Sequence, residues 1–145
     1  MPKRNRNSYL MRKYGITEKE YQQMLTTQCF GCKICGNKPK TNGRRLHVDH
    51  DHAVEKLRIG TKKRADGRWI SAALVNTAKT NAVMAVGATR SEAIQNVRKQ
   101  LLRASVRGLL CWHCNTLLQK ARDNHEILRN AAKYIEEYKG AETNN

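Results

Sequence analysis

The N-terminal part of the chain has apolar residues at helical spacing behind a helix start signal. Thr17 and Glu20 have the spacing of a capping box, in which the two residues satisfy each other's backbone N–H groups. The apolar positions behind them recur at helical intervals, at Tyr21, Met24 and Leu25. Because Gly15 separates this segment from an earlier apolar group, residues 8–25 are predicted to form one helix or a helical pair.

A second helical pattern lies near the C-terminus, from about Asp123 to Tyr138. Its apolar residues form one stripe, made up of Ile127, Leu128, Ala131, Tyr134, Ile135 and Tyr138. Residues 140–145 are small or polar, and we expect them to form a frayed tail.

The middle of the chain, residues 57–105, favours strands over most of its length. RWISAALV at residues 68–75 and NAVMAVG at residues 81–87 have the composition of strands. Gly67 and the polar stretch 76–80 mark turns beside them.

A helix over residues 91–103 is predicted after these strands, with Ser91 as its N-cap. Its apolar face consists of Ala93, Ile94, Val97, Leu101 and Leu102. The order of elements predicts a small β-β-β-α module at 57–105, inserted into a domain made of residues 1–56 and 106–145. The predicted fold class is α+β.

The charge of the chain is strongly basic. With 28 Lys or Arg and 12 Asp or Glu, the formal net charge is +16. Residues 1–25 hold six basic and two acidic side chains, and residues 58–107 hold eleven basic and two acidic. Concentrated basic stretches are typical of surfaces that follow a phosphate backbone, so nucleic acid is the expected partner. The alternative is a charge that only serves solubility.

The chain shows no sign of a membrane or secreted protein. No apolar run approaches the roughly 18 residues of a membrane helix, and the basic start lacks an apolar signal-peptide core. Apolar residues make up 39% and aromatic residues 6% of the chain. A core this poorly supplied usually needs a metal or another staple.

The five cysteines are arranged for metal binding rather than for disulfides. They occur as CFGCKIC and CWHC, an odd number in two clusters. Two Cys-x-x-Cys pairs supply the four thiolates of a structural zinc site, and the second pair is Cys111 and Cys114. The first pair is either Cys29 and Cys32 or Cys32 and Cys35. We favour Cys32 and Cys35, because Gly36 suits the turn after such a pair.

The segment LHVDHDHA concentrates polar chemistry after a short predicted strand, Leu46–Val48. It holds three of the five histidines of the chain, and Asp49, His50, Asp51 and His52 are consecutive. A turn starting at Asp49 would bring Asp49 and His50 together on one ligand. Alternatives are a solvated polar loop or a second, adventitious zinc site. Asn115, after the second cysteine pair, is a further candidate, although it could merely cap a helix.

These motifs resemble a known family. MRKYGITEKEYQQMLTTQ, CKICG, LHVDHDH and VRGLLCWHCN, in this order, are similar to the recombination endonuclease VII group of phage nucleases, within the HNH, or ββα-metal (His-Me finger), superfamily. The resemblance implies a ββα-metal core with flanking helices in which Cys32, Cys35, Cys111 and Cys114 bind structural zinc. It also implies that Asp49 and Asn115 bind one catalytic Mg²⁺ or Mn²⁺, that His50 is the general base and that His52 is an auxiliary residue.

Two features depart from the family. A glutamate stands three residues after the asparagine in the founding member, and Leu118 occupies that position here. The family also joins the two motifs by a short loop, whereas this chain inserts about fifty residues there. The insertion must leave Asn115 near Asp49 for the site to work.

The resemblance implies hydrolysis of DNA phosphodiesters to 5′-phosphate and 3′-hydroxyl ends, in branched or junction DNA or at a sequence-selected duplex site. Arg58 or Arg107 is the candidate for holding the scissile phosphate. A homodimer and a cytoplasmic location, the host-cell cytoplasm if the chain is phage-encoded, are also implied. The alternatives are a non-catalytic, zinc-stapled DNA-binding regulatory protein and a protein that binds or cleaves RNA.

The inserted module is predicted to contact DNA. Strands with outward basic side chains can enter the major groove as a ribbon, where arginine reads guanine. The candidate contacts are Lys62, Lys63, Arg64, Arg68 and Trp69. The alternative is that Trp69 and the helix face form a small core and that the module is a structural spacer.

Overall fold

The computed structural model describes residues 5–39, 45–75 and 82–139. It has mixed α and β structure, as predicted. The elements in chain order are α1 (Arg6–Tyr14), α2 (Glu18–Thr27), β1 (His47–His50), α3 (His52–Glu55), β2 (Gly60–Lys63), β3 (Trp69–Leu74), β4 (Ala82–Gly87), α4 (Arg90–Ser105), β5 (Val106–Leu110), α5 (Trp112–Lys120) and α6 (His125–Lys139). The predicted turn at 76–80 and the tail at 140–145 lie outside the described residues.

The N-terminal segment forms a helical pair, and the chain turns between its helices at Gly15. Gly15 has a left-handed backbone (φ 67°) and donates its N–H to the carbonyl of Met11. The capping box is confirmed, because Thr17 accepts from the N–H of Glu20 and Glu20 accepts from the N–H of Thr17. The local signals in this segment therefore decide its structure, as expected for a helix terminus.

Two antiparallel sheets divide the strands. β1 pairs with β5 in a two-stranded sheet, and the other sheet has the order β2-β3-β4. The two strands of the first sheet are separated in sequence by the whole predicted module. The residue after β1 contacts the last residue of that module, since the N–H of Asp51 donates to the carbonyl of Ser105 at 2.9 Å. The insertion therefore leaves β1 and β5 paired.

The predicted β-β-β-α order is present, with α4 packed against its sheet. The inward positions of β3 are Ser71 and Ala73, which are buried, and α4 contributes Ala93, Val97 and Leu101. Ile94 and Leu102, also assigned to the apolar face, are half-buried.

Three predicted boundaries move. The N-cap of α4 is Thr89, whose side chain accepts from the N–H of Glu92, so the assignment of Ser91 is wrong. β1 runs to His50 rather than ending at Val48, because pairing with β5 continues. α6 begins at His125 rather than near Asp123.

Two hydrophobic clusters hold the molecule together. The first packs α1 and α2 on the β1–β5 sheet and contains Leu10, Tyr14, Ile16, Tyr21, Cys32, Leu46, Val48, Val106, Leu109, Leu110 and Cys114. The second contains Val54, Ala73, Val75, Val83, Val97 and Leu101. The division of the chain at 56 and 57 stays a prediction, and the second cluster includes Val54, which precedes it.

The two clusters are joined through α4. Arg103 of α4 forms an ion pair with Glu20 of α2. Gly15 also lies against α4, so that a Cβ there would stand 2.6 Å from the carbonyl oxygen of Lys99. The module is thus packed against the helical pair rather than tethered by a loop.

The apolar stripe of α6 lies on the surface. Ile127, Tyr134, Ile135 and Tyr138 are each at least half exposed. Within the part of the chain that the structure describes, no helix has the length and apolar character that a membrane span requires.

Candidate active site

Four cysteines converge at one point, from two segments that are distant in sequence. The Sγ atoms of Cys32, Cys35, Cys111 and Cys114 all lie within 4.8 Å of one another. The Sγ atoms of Cys35 and Cys111 are 3.8 Å apart. Zn–S bonds of about 2.3 Å imply an S–S edge of about 3.8 Å in a tetrahedron, so this group has the dimensions of a closed zinc site. Cys29, exposed, is not part of the cluster.

Backbone N–H groups point at these sulfur atoms. Cys111 is the N-cap of α5, and its Sγ accepts from the N–H of Cys114. Burial raises the pKa of the Cys32 thiol, but hydrogen bonds from backbone N–H groups lower it more, to about 6. Because zinc binds the thiolate form, this environment favours the ligating state of Cys32.

The first cysteine pair is fastened to β5. Gln28, four residues before Cys32, bonds to β5 through its side-chain amide. The amide nitrogen donates to the carbonyl of Leu109, and the amide oxygen accepts from the N–H of Leu109. Lys33 donates its backbone N–H to Leu109 and its ammonium to the carbonyl of Arg107. The cysteine cluster therefore fixes the strand that carries Arg107.

A cavity of about 650 Å³ opens on β1, β5 and α5. Its lining includes the four residues predicted to be catalytic, which are Asp49, His50, His52 and Asn115. The strand alternation alone would separate Asp49 from His50. The structure brings both to the cavity at a register shift, because Asp49 pairs with Gly108 and His50 pairs with Val106.

The register shift leaves Arg107 as an extra residue on β5, as in a β-bulge. Arg107 reaches across to Asp49, with Nε donating to Oδ2 at 2.7 Å and Nη2 donating to Oδ1 at 2.8 Å. Nη2 also donates to Oδ1 of Asp123 at 3.0 Å. Hydrogen bonds to Asp49 and Asp123 raise the pKa of Arg107 above its usual value. Of the two candidates for phosphate binding, Arg107 lines the cavity and Arg58 does not.

Three rings lie in series at the cavity. The centroids of His50 and His52 are 4.4 Å apart, and those of His50 and Tyr14 are 5.2 Å apart in an edge-on arrangement. Tyr14 is buried, and burial raises the pKa of its hydroxyl. Sequence reasoning did not single out Tyr14 as a site residue, although Tyr14 lies in the family motif MRKYGITEKEYQQMLTTQ.

Asn115 lies inside α5 rather than at its start. The N-cap is Cys111, so the alternative in which Asn115 caps the helix is wrong. Leu118, one turn further along α5, also lines the cavity. Leu118 supplies no carboxylate to the cavity. Asp123, in the turn after α5, does line the cavity, and sequence reasoning did not single it out.

A divalent ion fits the donor set of the cavity. A carboxylate offers about four lone-pair positions, and Arg107 uses two of those of Asp49. The buried Asp49 carboxylate and the Asn115 amide are the hard oxygen ligands that Mg²⁺ prefers. These two residues could therefore hold such an ion if Arg107 shares or releases Asp49.

The proposed DNA contacts lie elsewhere, on the hairpin formed by β2 and β3. Lys62, Lys63, Arg64 and Arg68 are exposed and Trp69 is half-buried. Asp66 in the turn pairs with Arg68 at 2.9 Å and with Arg64 at 3.4 Å. None of these five residues lines the cavity.

Comparison with known families matches residues 7–137 to recombination endonuclease VII. This span takes in both cysteine pairs, the whole cavity and the inserted module. Comparison with curated proteins and with solved structures gives no match. The resemblance seen in the motifs is confirmed at the level of the family. The chain belongs to the recombination endonuclease VII family and is a nuclease that acts on DNA.

Proposed function

We propose that the chain is a metal-dependent endonuclease of the HNH, or His-Me finger, type, which cuts DNA to 5′-phosphate and 3′-hydroxyl ends. The observation that carries this proposal is that Asp49, His50 and Asn115 line one cavity. That cavity stands on two antiparallel strands followed by a helix, β1, β5 and α5, next to the cysteine cluster. The same β-β-α order supports the superfamily assignment.

Each cavity residue has a chemical role in this proposal. Asp49 and Asn115 would hold Mg²⁺ or Mn²⁺, which would supply stabilisation of the negative charge that grows on the phosphoryl and leaving oxygens. His50 accepts a proton from the attacking water, a role that suits an imidazole near neutral pH. His52 packs on His50 as an auxiliary residue, and Arg107 contacts the scissile phosphate.

Zinc has a structural role in the proposal. Cys32, Cys35, Cys111 and Cys114 would supply all four protein ligands of the zinc ion, and such a fully ligated site would have no open position for water. Two of these cysteines precede β1 in sequence and the other two follow β5. Zinc would therefore hold together the two parts of the nuclease domain that the insertion separates.

The substrate we propose first is branched or four-way junction DNA, since the family is named for recombination. A sequence-selected duplex site is the runner-up. Labelled junction, linear duplex and supercoiled plasmid should be incubated with zinc-loaded protein, with Mg²⁺ or with EDTA. The proposal expects cleavage with Mg²⁺, none with EDTA and none by His50→Ala. A protein that binds all three DNAs and cuts none under any condition would instead be a non-catalytic DNA-binding regulator.

We also propose that the inserted module contacts DNA through the β2–β3 hairpin. Replacing Lys63, Arg64 and Arg68 by alanine removes three positive charges at the end of an exposed hairpin. Weaker binding and a shallower dependence of affinity on salt are expected, because fewer counterions are released. Unchanged affinity, salt dependence and cut sites would leave the module as a structural spacer.

A homodimer formed through α6 is the assembly that we propose. Its apolar stripe is exposed, and the rings of Tyr134 and Tyr138 lie with centroids 5.0 Å apart and planes tilted by 52°. Multi-angle light scattering should give the mass of two chains. Ile127→Glu with Tyr134→Glu should give one, whereas a Glu137→Gln control should not; a wild-type monomer would refute this assembly.

A further inference from the structure

Asp123 enters the cavity from a short turn with an unusual backbone. Arg122 and Asp123, between α5 and α6, both have left-handed φ values, 53° and 54°. Aspartate tolerates this region better than most residues do, but arginine does so at a cost. Such conformations persist where the surrounding structure requires them, often at functional sites. Here the result is that the carboxylate of Asp123 faces Arg107.

The guanidinium of Arg107 is shared by two carboxylates. Its Nε–H and one N–H of Nη2 go to Asp49, and the other N–H of Nη2 goes to Asp123. Among the described residues, the two N–H groups of Nη1 have no hydrogen-bond partner. Arg107 can therefore stay anchored at Nη2 while Nη1 contacts a further anion such as a phosphate.

The hold of Asp49 on Arg107 must weaken when a divalent ion binds. The ion takes lone pairs of the same carboxylate and repels the positive guanidinium, so the bidentate pair cannot persist unchanged. Among the residues that the structure describes, Asp123 is then the remaining anion within hydrogen-bond distance of Arg107.

We propose that Asp123 is a positioning residue that keeps Arg107 in the cavity when Asp49 binds the divalent ion. This inference rests on the proposed function, in which Asp49 is a metal ligand and Arg107 a phosphate contact. Asp123 touches neither the ion nor the DNA; it acts by dividing Arg107 between two carboxylates, which frees Asp49 for metal.

The test is Mn²⁺ binding to the zinc-loaded protein without DNA, measured by titration calorimetry. Asp123→Asn should weaken Mn²⁺ binding by about tenfold, because Arg107 then pairs with Asp49 alone and competes with the ion. Asp123→Glu should restore much of the affinity. The matched control is Asp66→Asn, which also removes an arginine-paired aspartate but lies outside the cavity lining; it should bind Mn²⁺ as the wild type does.

The decisive comparison repeats Asp123→Asn in an Arg107→Ala background. Without the competing guanidinium, Asp123→Asn should no longer change the Mn²⁺ affinity. In Arg107-containing enzyme, the same substitution should also raise KM for DNA by more than it lowers kcat at saturating Mn²⁺. A merely structural role would weaken Mn²⁺ binding equally in both backgrounds.

The possible results separate the inference from the proposed function. Equal weakening in both backgrounds, or none in either, overturns the role of Asp123 while Asp49 remains a metal ligand. Mn²⁺ binding that survives Asp49→Asn overturns the proposed metal site, and the inference falls with it.

Discussion

Replacement of one clustered cysteine should unfold the nuclease domain, and replacement of Cys29 should not. Cys32 is buried within the first hydrophobic cluster, and its sulfur belongs to the four-thiol group. Structural zinc contributes on the order of 10 kcal/mol or more in small domains. A chain of 145 residues is expected to have a total stability of about 7–22 kcal/mol, at roughly 0.05–0.15 kcal/mol per residue. Loss of the site in Cys32→Ser therefore removes a large fraction of the stability.

Cys29→Ser provides the matched control, because it makes the same chemical change three residues away. Cys29 is exposed and outside the cluster, so we expect a change within about 0.5 kcal/mol. The assay is zinc content by mass spectrometry together with thermal unfolding followed by circular dichroism. The reasoning is refuted if Cys32→Ser retains one zinc and the wild-type Tm, or if Cys29→Ser loses its zinc.

Three further predictions address catalysis and packing. His50→Ala should lower cleavage by about 10²-fold or more while binding to DNA and the Tm stay near wild type, as gel-based kinetics and calorimetry will show. Glu20→Ala should cost about 1 kcal/mol at pH 7 in urea unfolding, because it removes the capping box and the ion pair with Arg103. The hydrogen bond from the backbone of Thr17 lowers the pKa of Glu20 in the folded protein. The stabilisation by the Glu20 carboxylate is therefore complete above the usual carboxyl pKa and is lost as the pH falls through the lowered pKa. The difference in unfolding free energy between the wild type and Glu20→Ala should shrink below about pH 4. A difference that persists at pH 2 would contradict this. Gly15→Ala should cost about 2 kcal/mol or more, since its φ is left-handed and the new Cβ would meet the backbone of α4; an unchanged urea midpoint would refute that close approach.

The sequence determined most of what is local. The capping box and Gly15 predicted one helix or a helical pair, because helix ends are set by a few neighbouring residues, and the structure has the pair. The apolar pattern located β3, β4 and α4 of the module, whereas β2 (Gly60–Lys63) has no apolar residue and was predicted only as part of the β-β-β-α order. The spacing of the cysteines predicted a four-thiol site that includes Cys111 and Cys114 but left two choices for the first pair. Gly36 favoured Cys32 and Cys35, and the structure groups these two with Cys111 and Cys114.

Only the tertiary structure decided how Asp49 reaches its partners. The strand pattern places Asp49 and His50 on opposite faces, and the register shift opposite Arg107 brings all three to one cavity. A register shift of this kind depends on the pairing of β1 with β5, and these two strands lie more than fifty residues apart in sequence. No local pattern records it.

The same reason explains Tyr14 and Asp123. Tyr14 ends a helix and belongs to the motif MRKYGITEKEYQQMLTTQ, and Asp123 stands in an interhelical turn, but nothing in the sequence pattern marks either as a site residue. Their places beside His50 and Arg107 result from packing between distant segments, α1 against β1 and the turn after α5 against β5. The residue types that could do chemistry were visible in the sequence, but the long-range contacts between them were not, because those contacts exist only once the two strands pair and the helices pack on them.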